Sequence, residues 1–294
     1  MKHKIFYSLA LAFVGLTFTS CSVKEDRMHC LVPVTVHLNN ISVSMEEFSD
    51  TRAVQDVEDY DGIKAIDLAF YEGNTEVFKT TQIRSDGTTY TTFGEFECAL
   101  PIGNYTLVAI ARGYSEGDVF TLTSPTSAAF TSERARETFC ATQAVTVTSD
   151  DPLDLSVTLN RIIARLNILS TDVHSASVTR IRTTYAAGGK SFNPSTGLAT
   201  VNSGFTVTNS GFWEQDGTLH VSNYAFLATD EQTMDITLEA LDADDHVLFS
   251  KLVPNVPLKR NRVTTLSGAM FTTDASMLGF QVETDWLEGN TVNY

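Results

Sequence analysis

The sequence predicts an all-β protein built as two β-sandwich domains in tandem, on three observations. Apolar residues alternate with period two through most of the chain, Thr occurs 39 times in 294 residues, and long amphipathic helical patterns are scarce. Strand-like runs follow one another every 8 to 15 residues or so without intervening helices, which argues for sandwiches and against a doubly wound sheet. A chain of 294 residues has the length of two ordinary domains. With 43% hydrophobic and 19% charged residues, it has the composition of a chain that folds.

The amino end reads as an address. Lys2 and Lys4 precede an apolar run from Ile5 to Phe18 that ends in Thr19-Ser20-Cys21, so residues 1–20 read as a secretory leader. The run is too short to stay in a bilayer as a span, which takes roughly 20 apolar residues. Small residues directly ahead of Cys21 look like a bacterial lipobox, although Phe18 stands where Leu is common. Cys21 is then the acylated first residue of a mature lipoprotein, and several acyl chains together hold a protein firmly on a membrane. The alternative is a soluble exported chain cut near Ser20. Residues 21–30 form a short tether, and Lys24-Glu25-Asp26 resembles the acidic signal that sends Bacteroidetes lipoproteins to the outer face of the outer membrane.

The strands follow. Val32, Val34, Val36 and Leu38 alternate in a first run, and Ile66, Leu68 and Phe70 in a second. Phe96, Cys98 and Leu100 lead into Pro101-Ile102-Gly103-Asn104. Tyr105, Leu107, Ala109 and Ala111 return from it, so these two runs read as a hairpin. Ser132 to Thr138 reads as a short helix with its Arg and Glu residues outward. Val145 and Val147, then Leu153 to Leu159, run into Arg161 to Ile168. A boundary near Asn160 gives an N-terminal domain over 31–160 and a C-terminal domain over 161–294. Phe205 and Val207, Tyr224 to Leu227, Met234 to Leu238 and Val247 to Leu252 repeat the theme. Asp242-Ala243-Asp244-Asp245 is the turn between the last two. A transmembrane barrel is disfavoured, because the Thr-rich faces are too polar for lipid.

Charge and motifs exclude several functions. The chain carries −16 overall, or −18 without Lys2 and Lys4, and a surface so negative repels nucleic acid and anionic headgroups. Gly113-Tyr114-Ser115-Glu116-Gly117 matches the G-x-S-x-G nucleophile elbow, but a strand-like run follows where the elbow needs a helix. An esterase using Ser115 is therefore a distant third reading, and the protein is taken not to be an enzyme. Gly188-Gly189-Lys190-Ser191 lacks the first glycine of a P-loop, since Thr184 stands there. Asp242 to His246 lacks the turn glycine and distal Glu of an EF-hand and reads as a solvated turn. The six histidines form no H-x-x-x-H pair, so no metal site is expected, and no cofactor beyond the lipid on Cys21. Trp213, Trp286, Phe212 and Tyr224 are more ordinary as core than as sugar platforms. Cys30, Cys98 and Cys140 are candidates for one disulfide whose pairing the sequence leaves open, beside the reading of three free thiols.

Cys21-Ser22-Val23-Lys24-Glu25-Asp26-Arg27-Met28-His29-Cys30 resembles the mature start of the fimbrillin-associated anchor family of Bacteroidales. In that family a charged K/E-x-D-R stretch and a second cysteine follow the lipid cysteine; Leu31 here stands where a proline is common. Leu159 to Leu166 is similar to the family's inter-domain strand. Leu258-Lys259-Arg260-Asn261-Arg262-Val263-Thr264-Thr265-Leu266-Ser267-Gly268 is similar to a late strand of the wider fimbrillin group, and Asp285-Trp286 also fits. The resemblance implies two transthyretin-like Greek-key sandwiches in an outer-membrane lipoprotein that roots a type V pilus, with pilin subunits as partners. Related stalk subunits are cut after an arginine, lose their first strand, and receive a neighbour's strand in the groove, which is β-strand addition. Arg52 is the candidate processing site here. An uncut chain is an anchor, and a cut one is a stalk or tip subunit. Trp286, Asn290, Val292 and Tyr294 are the candidate partner contacts. The reading from another class is a glycan-binding surface lipoprotein.

Overall fold

The computed structural model describes residues 31–42, 54–84, 92–148, 151–210, 213–215, 217–271 and 279–283. It is all-β, with no α-helix among the described residues. The first half contains β1 (Leu31–Ser42), β2 (Val54–Asp56), β3 (Ala65–Glu72), β4 (Thr75–Ile83), β5 (Glu95–Pro101), β6 (Gly103–Arg112), β7 (Phe120–Ser124), β8 (Ser127–Phe130), β9 (Thr138–Val147) and β10 (Leu153–Arg161). The second half contains β11 (Ala164–Ser170), β12 (Arg180–Tyr185), β13 (Ser191–Asn193), β14 (Leu198–Ala199), β15 (Phe205–Asn209), β16 (Trp213–Gln215), β17 (Thr218–Ala225), β18 (Glu231–Leu241), β19 (Val247–Lys259), β20 (Val263–Gly268) and β21 (Gly279–Glu283).

The first half is one eight-stranded sheet in the order β2-β1-β10-β9-β6-β3-β4, with β5 also on β1. It folds over on itself where β9 meets β10. Those two strands share only the pairs Asn160↔Cys140 and Arg161↔Phe139 and then diverge. The alternating residues of β1, β3, β6, β9 and β10 close a core between the two leaves. In the second half, the sheet β16-β17-β11-β20-β21 faces the sheet β15-β12-β18-β19. Leu166, Ile168, Ile181, Ile236, Leu238 and Leu266 meet between them. Alternation is what such faces require, since successive side chains point to opposite sides of a strand.

A fourth sheet, β14-β13-β8-β7, takes two strands from each half. It lies against the back of β3 and β6, so these two strands are buried on both faces: Ala69, Tyr71, Val108 and Ile110 pack against Leu122, Phe130 and Phe192. The near-continuous apolar runs Ala65–Tyr71 and Leu107–Ala111 follow from that double burial.

Two expectations are corrected. Phe96–Leu100 and Tyr105–Ala111 are not a hairpin: β5 pairs with β1, and β6 pairs with β3 and β9. The Pro101–Gly103 connection carries the chain from one leaf to the other, and Tyr105 Oη donates to the Pro101 carbonyl at 2.8 Å to hold that corner. Residues 132–138 are not a helix but an extended, bent segment. Seven residues are too few to repay helix nucleation. Their side chains are drawn apart instead: Arg136 to Asp118, Arg134 to the Thr208 carbonyl, and Glu137 inward, against the expected outward face. No helix among the described residues is long and apolar enough to cross a membrane.

Candidate functional site

Three features stand out as parts of one functional region: the first strand, the seam between the halves, and a cleft beside that seam.

β1 is an interior strand. It runs parallel to β10 from Val34↔Leu153 to Ser42↔Asn160 and antiparallel to β5 from Leu31↔Pro101 to His37↔Glu95. Val32, Val34, Val36, Leu38 and Ile41 are all buried. The sequence Val-Pro-Val-Thr-Val-His-Leu suits this place, since β-branched residues alternate with polar ones and Pro33 lies near the strand's start. Beyond β1 the chain returns as β2, which pairs with Asn40–Ser42. The candidate processing residue Arg52 lies between β1 and β2, outside the described residues.

The seam has a polar and an apolar part. Arg161, at the end of β10, has a fully buried side chain, and its Nε lies 2.8 Å from Glu137 Oε1. Tyr60 Oη donates to the same oxygen at 2.7 Å, Arg161 Nη2 donates to Tyr60 Oη at 3.0 Å, and Nη1 donates to Asn261 Oδ1 at 3.2 Å. Burial and then the Glu137 carboxylate push the Tyr60 phenol well above its ordinary value, so it remains a donor. The guanidinium lies 4.7 Å from the Phe139 ring centroid. A buried charge needs such a closed set of partners. On the apolar side, Phe120 and Phe130 from the first half interleave with Phe192 and Phe226 from the second. Phe192 stacks on Phe226 at 4.4 Å, and Phe130 on Phe226 at 6.2 Å. Arg112, paired with buried Asp67 at 2.7 Å, places its guanidinium 4.5 Å from the Phe120 ring centroid.

Where β9 and β10 diverge, a cleft of about 860 Å³ opens. Ala141–Gln143 of β9 and Ser156–Thr158 of β10 form two sides, and Pro194–Gly197 and the Lys259–Arg262 turn of the second half form the rest. Asp230 and Glu231 also line it, paired with Arg260 and Lys259, and among the described residues no aromatic side chain does. The cleft has the size of a ligand site but a polar wall, unlike the apolar pockets that hold most small ligands.

The sequence-predicted residues fall as follows. Cys21, Cys30, Trp286, Asn290, Val292 and Tyr294 lie outside the described residues. Cys98 and Cys140 are both free thiols, so these two are not bonded to each other. Cys98 is half-buried on β5, and burial pushes its thiol up to about 11. Cys140 is buried on β9, its Sγ 3.5 Å from the Pro194 carbonyl. Burial pushes its thiol up too. Neither is a thiolate at neutral pH. Ser115 sits exposed in a loop in which its amide donates to Asp118, and strand β7 follows with no helix. Gly188 and Gly189 serve packing: Gly188 has φ +73, and a side chain on it would press on the Phe226 carbonyl. Lys190 donates to the Ser132 carbonyl across the seam. Asp242 caps its own turn, accepting from the amides of Asp244 and His246, and the His246 amide is the main cause holding its carboxyl below the usual range. The backbone of Trp213 lies on β16 opposite His220, and Phe212 lies outside the described residues. Sequence reasoning passed over Tyr60, Glu137, Phe192 and Phe226. An arginine inside the apolar run Leu159–Leu166 was the one signal of a buried partner.

Comparison with known proteins gives likenesses of fold. The fimbrial anchor protein Mfa2 from Porphyromonas gingivalis is 10% identical, with 87% of this chain and 98% of that chain covered and a TM-score of 0.47. The tip fimbrial protein Mfa3 from the same organism, truncated at its C-terminus, is 13% identical over 87% and 100% of the two chains, with a TM-score of 0.41. A candidate adhesin from Bacteroides ovatus is 13% identical over 89% and 97%, with a TM-score of 0.49. No curated protein matches. One family model runs from Val32 at the start of β1 through both sandwiches to Glu288. With both halves inside that match, the chain belongs to this family, DUF6562, described as a family of unknown function.

Proposed function

We propose that this chain is a surface lipoprotein that roots a fimbrium in the outer membrane through a lipid on Cys21 and contacts the first pilin by β-strand addition around Trp286, Asn290, Val292 and Tyr294. The observation that carries the reading is the position of β1. Ten residues after the candidate lipid cysteine the chain enters the middle of a sheet, with β10 on one side and β5 on the other. A pull on Cys21 is then borne along the axis of β1, where both ladders are loaded together in shear. A tether joined to an edge strand would be peeled off one bond at a time. The five buried side chains of β1 add about 1.5–3 kcal/mol each, a sum comparable to the whole stability of a domain. An uncut β1 thus keeps the groove of the first half shut, as an anchor needs.

The test is the intact mass of the protein from outer-membrane fractions, with its N-terminal peptide identified. Acylated Cys21 at the start supports the anchor. A chain starting at Ala53 makes it a stalk or tip subunit processed after Arg52. Cys21→Ala is expected to release the protein, and fimbriae with it, into the medium. Release of neither would sink the proposal. Glycan binding is the remaining reading, and a glycan array separates it.

A further inference from the structure

We propose that the pole of the first half at which β1 begins is a membrane-seating surface, with Leu31, Pro33, Ala99, Pro101 and Ile102 lying against a zwitterionic lipid interface. The first support is the ladder between β1 and β5. It pairs Leu31 with Pro101 and Pro33 with Ala99. Directly opposed residues share a face, and Val32, Val34 and Leu100 on the other face fill the core, so these four point outward. Pro33 and Ala99 are exposed and Pro101 is half-buried, while Leu31 is 61% exposed and Ile102, one position past β5, is 44% exposed. Apolar side chains thus stand together at the surface of a chain of net charge −16. A contiguous apolar patch of this kind marks a contact.

The second support is where the patch lies. β10 starts at Leu153, the partner of Val34, and ends at Arg161 in the seam. The patch and the second half are therefore at opposite ends of the first sandwich, separated along β10 by about 26 Å at roughly 3.3 Å per residue. The candidate lipid site Cys21 is ten positions ahead of Leu31. Ten residues span at most about 33–36 Å, so a lipid on Cys21 keeps this pole within that distance of the bilayer and leaves the second half pointing away from it.

The third support is chemistry that selects lipid over another protein strand. Pro33 and Pro101 present rings and have no N–H to offer, which suits a partner that makes no hydrogen bonds. Farther along the same face the apolar surface stops. Thr35 pairs with Glu97 on one side and Asp154 on the other, and His37 pairs with Glu95, all three carboxylates being exposed. From Leu31 to Thr35 is about 13 Å of strand, so the apolar band ahead of the carboxylates is close to the 5–10 Å that interfacial elements bury. The acidic rows above it stay in water, and they favour zwitterionic over anionic headgroups.

The proposal takes the nearness of the bilayer from the reading of Cys21 as the lipid site, so its test supplies that nearness by other means. The chain from Cys21 to Tyr294, with a hexahistidine tag ahead of Cys21, is held on phosphatidylcholine vesicles that contain a nickel-chelating lipid. It carries the photo-crosslinker p-benzoylphenylalanine in place of Ile102 or, as the control, in place of Leu252, which is 59% exposed on β19 of the second half. Both positions are at the surface, so neither replacement disturbs the core. On illumination, lipid adducts at position 102 should exceed those at position 252 by at least about tenfold, and adding Leu31→Asp should lower the adducts at 102 by about fivefold. Equal adducts at the two positions, or adducts at 102 that join two copies of the protein instead of lipid, would overturn the proposal. The mass of the native N-terminal peptide separates the two readings. Lipid adducts at 102 beside an unacylated native Cys21 leave the seating surface standing and sink the lipid anchor, and an acylated Cys21 without adducts at 102 does the reverse.

Discussion

Replacing Phe192 with alanine is expected to uncouple the two halves. Phe192 is fully buried on β13, stacks on Phe226 at 4.4 Å and on Phe120 at 6.3 Å, and its backbone pairs with Ala128 of the first half. Truncating a buried Phe to Ala costs about 3–5 kcal/mol, and each lost aromatic pair lies within that figure at about 0.5–1.5 kcal/mol. Taking about 4 kcal/mol, and about 2 °C per kcal/mol for a chain somewhat longer than 250 residues, the melting temperature falls by about 8 °C. The shape of the transition matters more than its position. With the seam intact, both cores share the fourth sheet and should melt together. Without Phe192, differential scanning calorimetry should resolve two endotherms, one for each sandwich. A shift below about 2 °C, or one unchanged cooperative peak in the variant, would refute the view that these rings weld the halves.

Three further outcomes are expected. Arg161→Met leaves Glu137 buried beside Tyr60 without its cation and should cost about 3–5 kcal/mol in urea unfolding, whereas adding Glu137→Leu should recover most of that loss. Cys140, buried with its thiol pushed up, should resist an alkylating reagent in the native protein and react fully in denaturant, as read by mass. Burial, and then Arg165, hold the His220 imidazole below its ordinary value, so the unfolded chain binds its proton first as pH falls. Stability is therefore full above about pH 6.5 and declines below it. The variant His220→Gln should flatten that acid limb.

Much of the fold was legible because period-two alternation reports directly on which face is buried. The runs at Val32–Leu38, Ile66–Phe70, Leu153–Leu159 and Met234–Leu238 lie in β1, β3, β10 and β18. What alternation does not carry is partnership. Phe96–Leu100 and Tyr105–Ala111 sit on either side of a turn, yet β5 goes to β1, sixty positions back, because Tyr105 and Pro101 hold a corner between leaves rather than a hairpin loop. The fourth sheet was hidden for a related reason. Ser191–Asn193 is three residues long, too short for a pattern, and acquires its meaning only from Ala128–Ala129 across the seam. The cleft was equally hidden, since Thr142, Ser156 and Thr158 on its β9 and β10 sides are ordinary strand residues, and the end of a ladder leaves no mark on the alternation. Cys98 and Cys140 show the limit of counting: both lie in strands of the first half, as their flanking residues suggested, yet each is held in a separate setting as a thiol.

The parallel pairing of β1 with β10 also sets an order of events for a chain that leaves its point of synthesis or export amino end first. Val34 finds its partner Leu153 only after 119 further positions have emerged, and β5, its other neighbour, arrives more than sixty positions late. Hairpins such as β3–β4 and β18–β19 close locally and early, while the strand that completes the first core is made first and seated late. During that interval its row of valines is open to any other strand edge nearby. The slowest step of the chain's folding is expected to be the closing of the sheet around that strand.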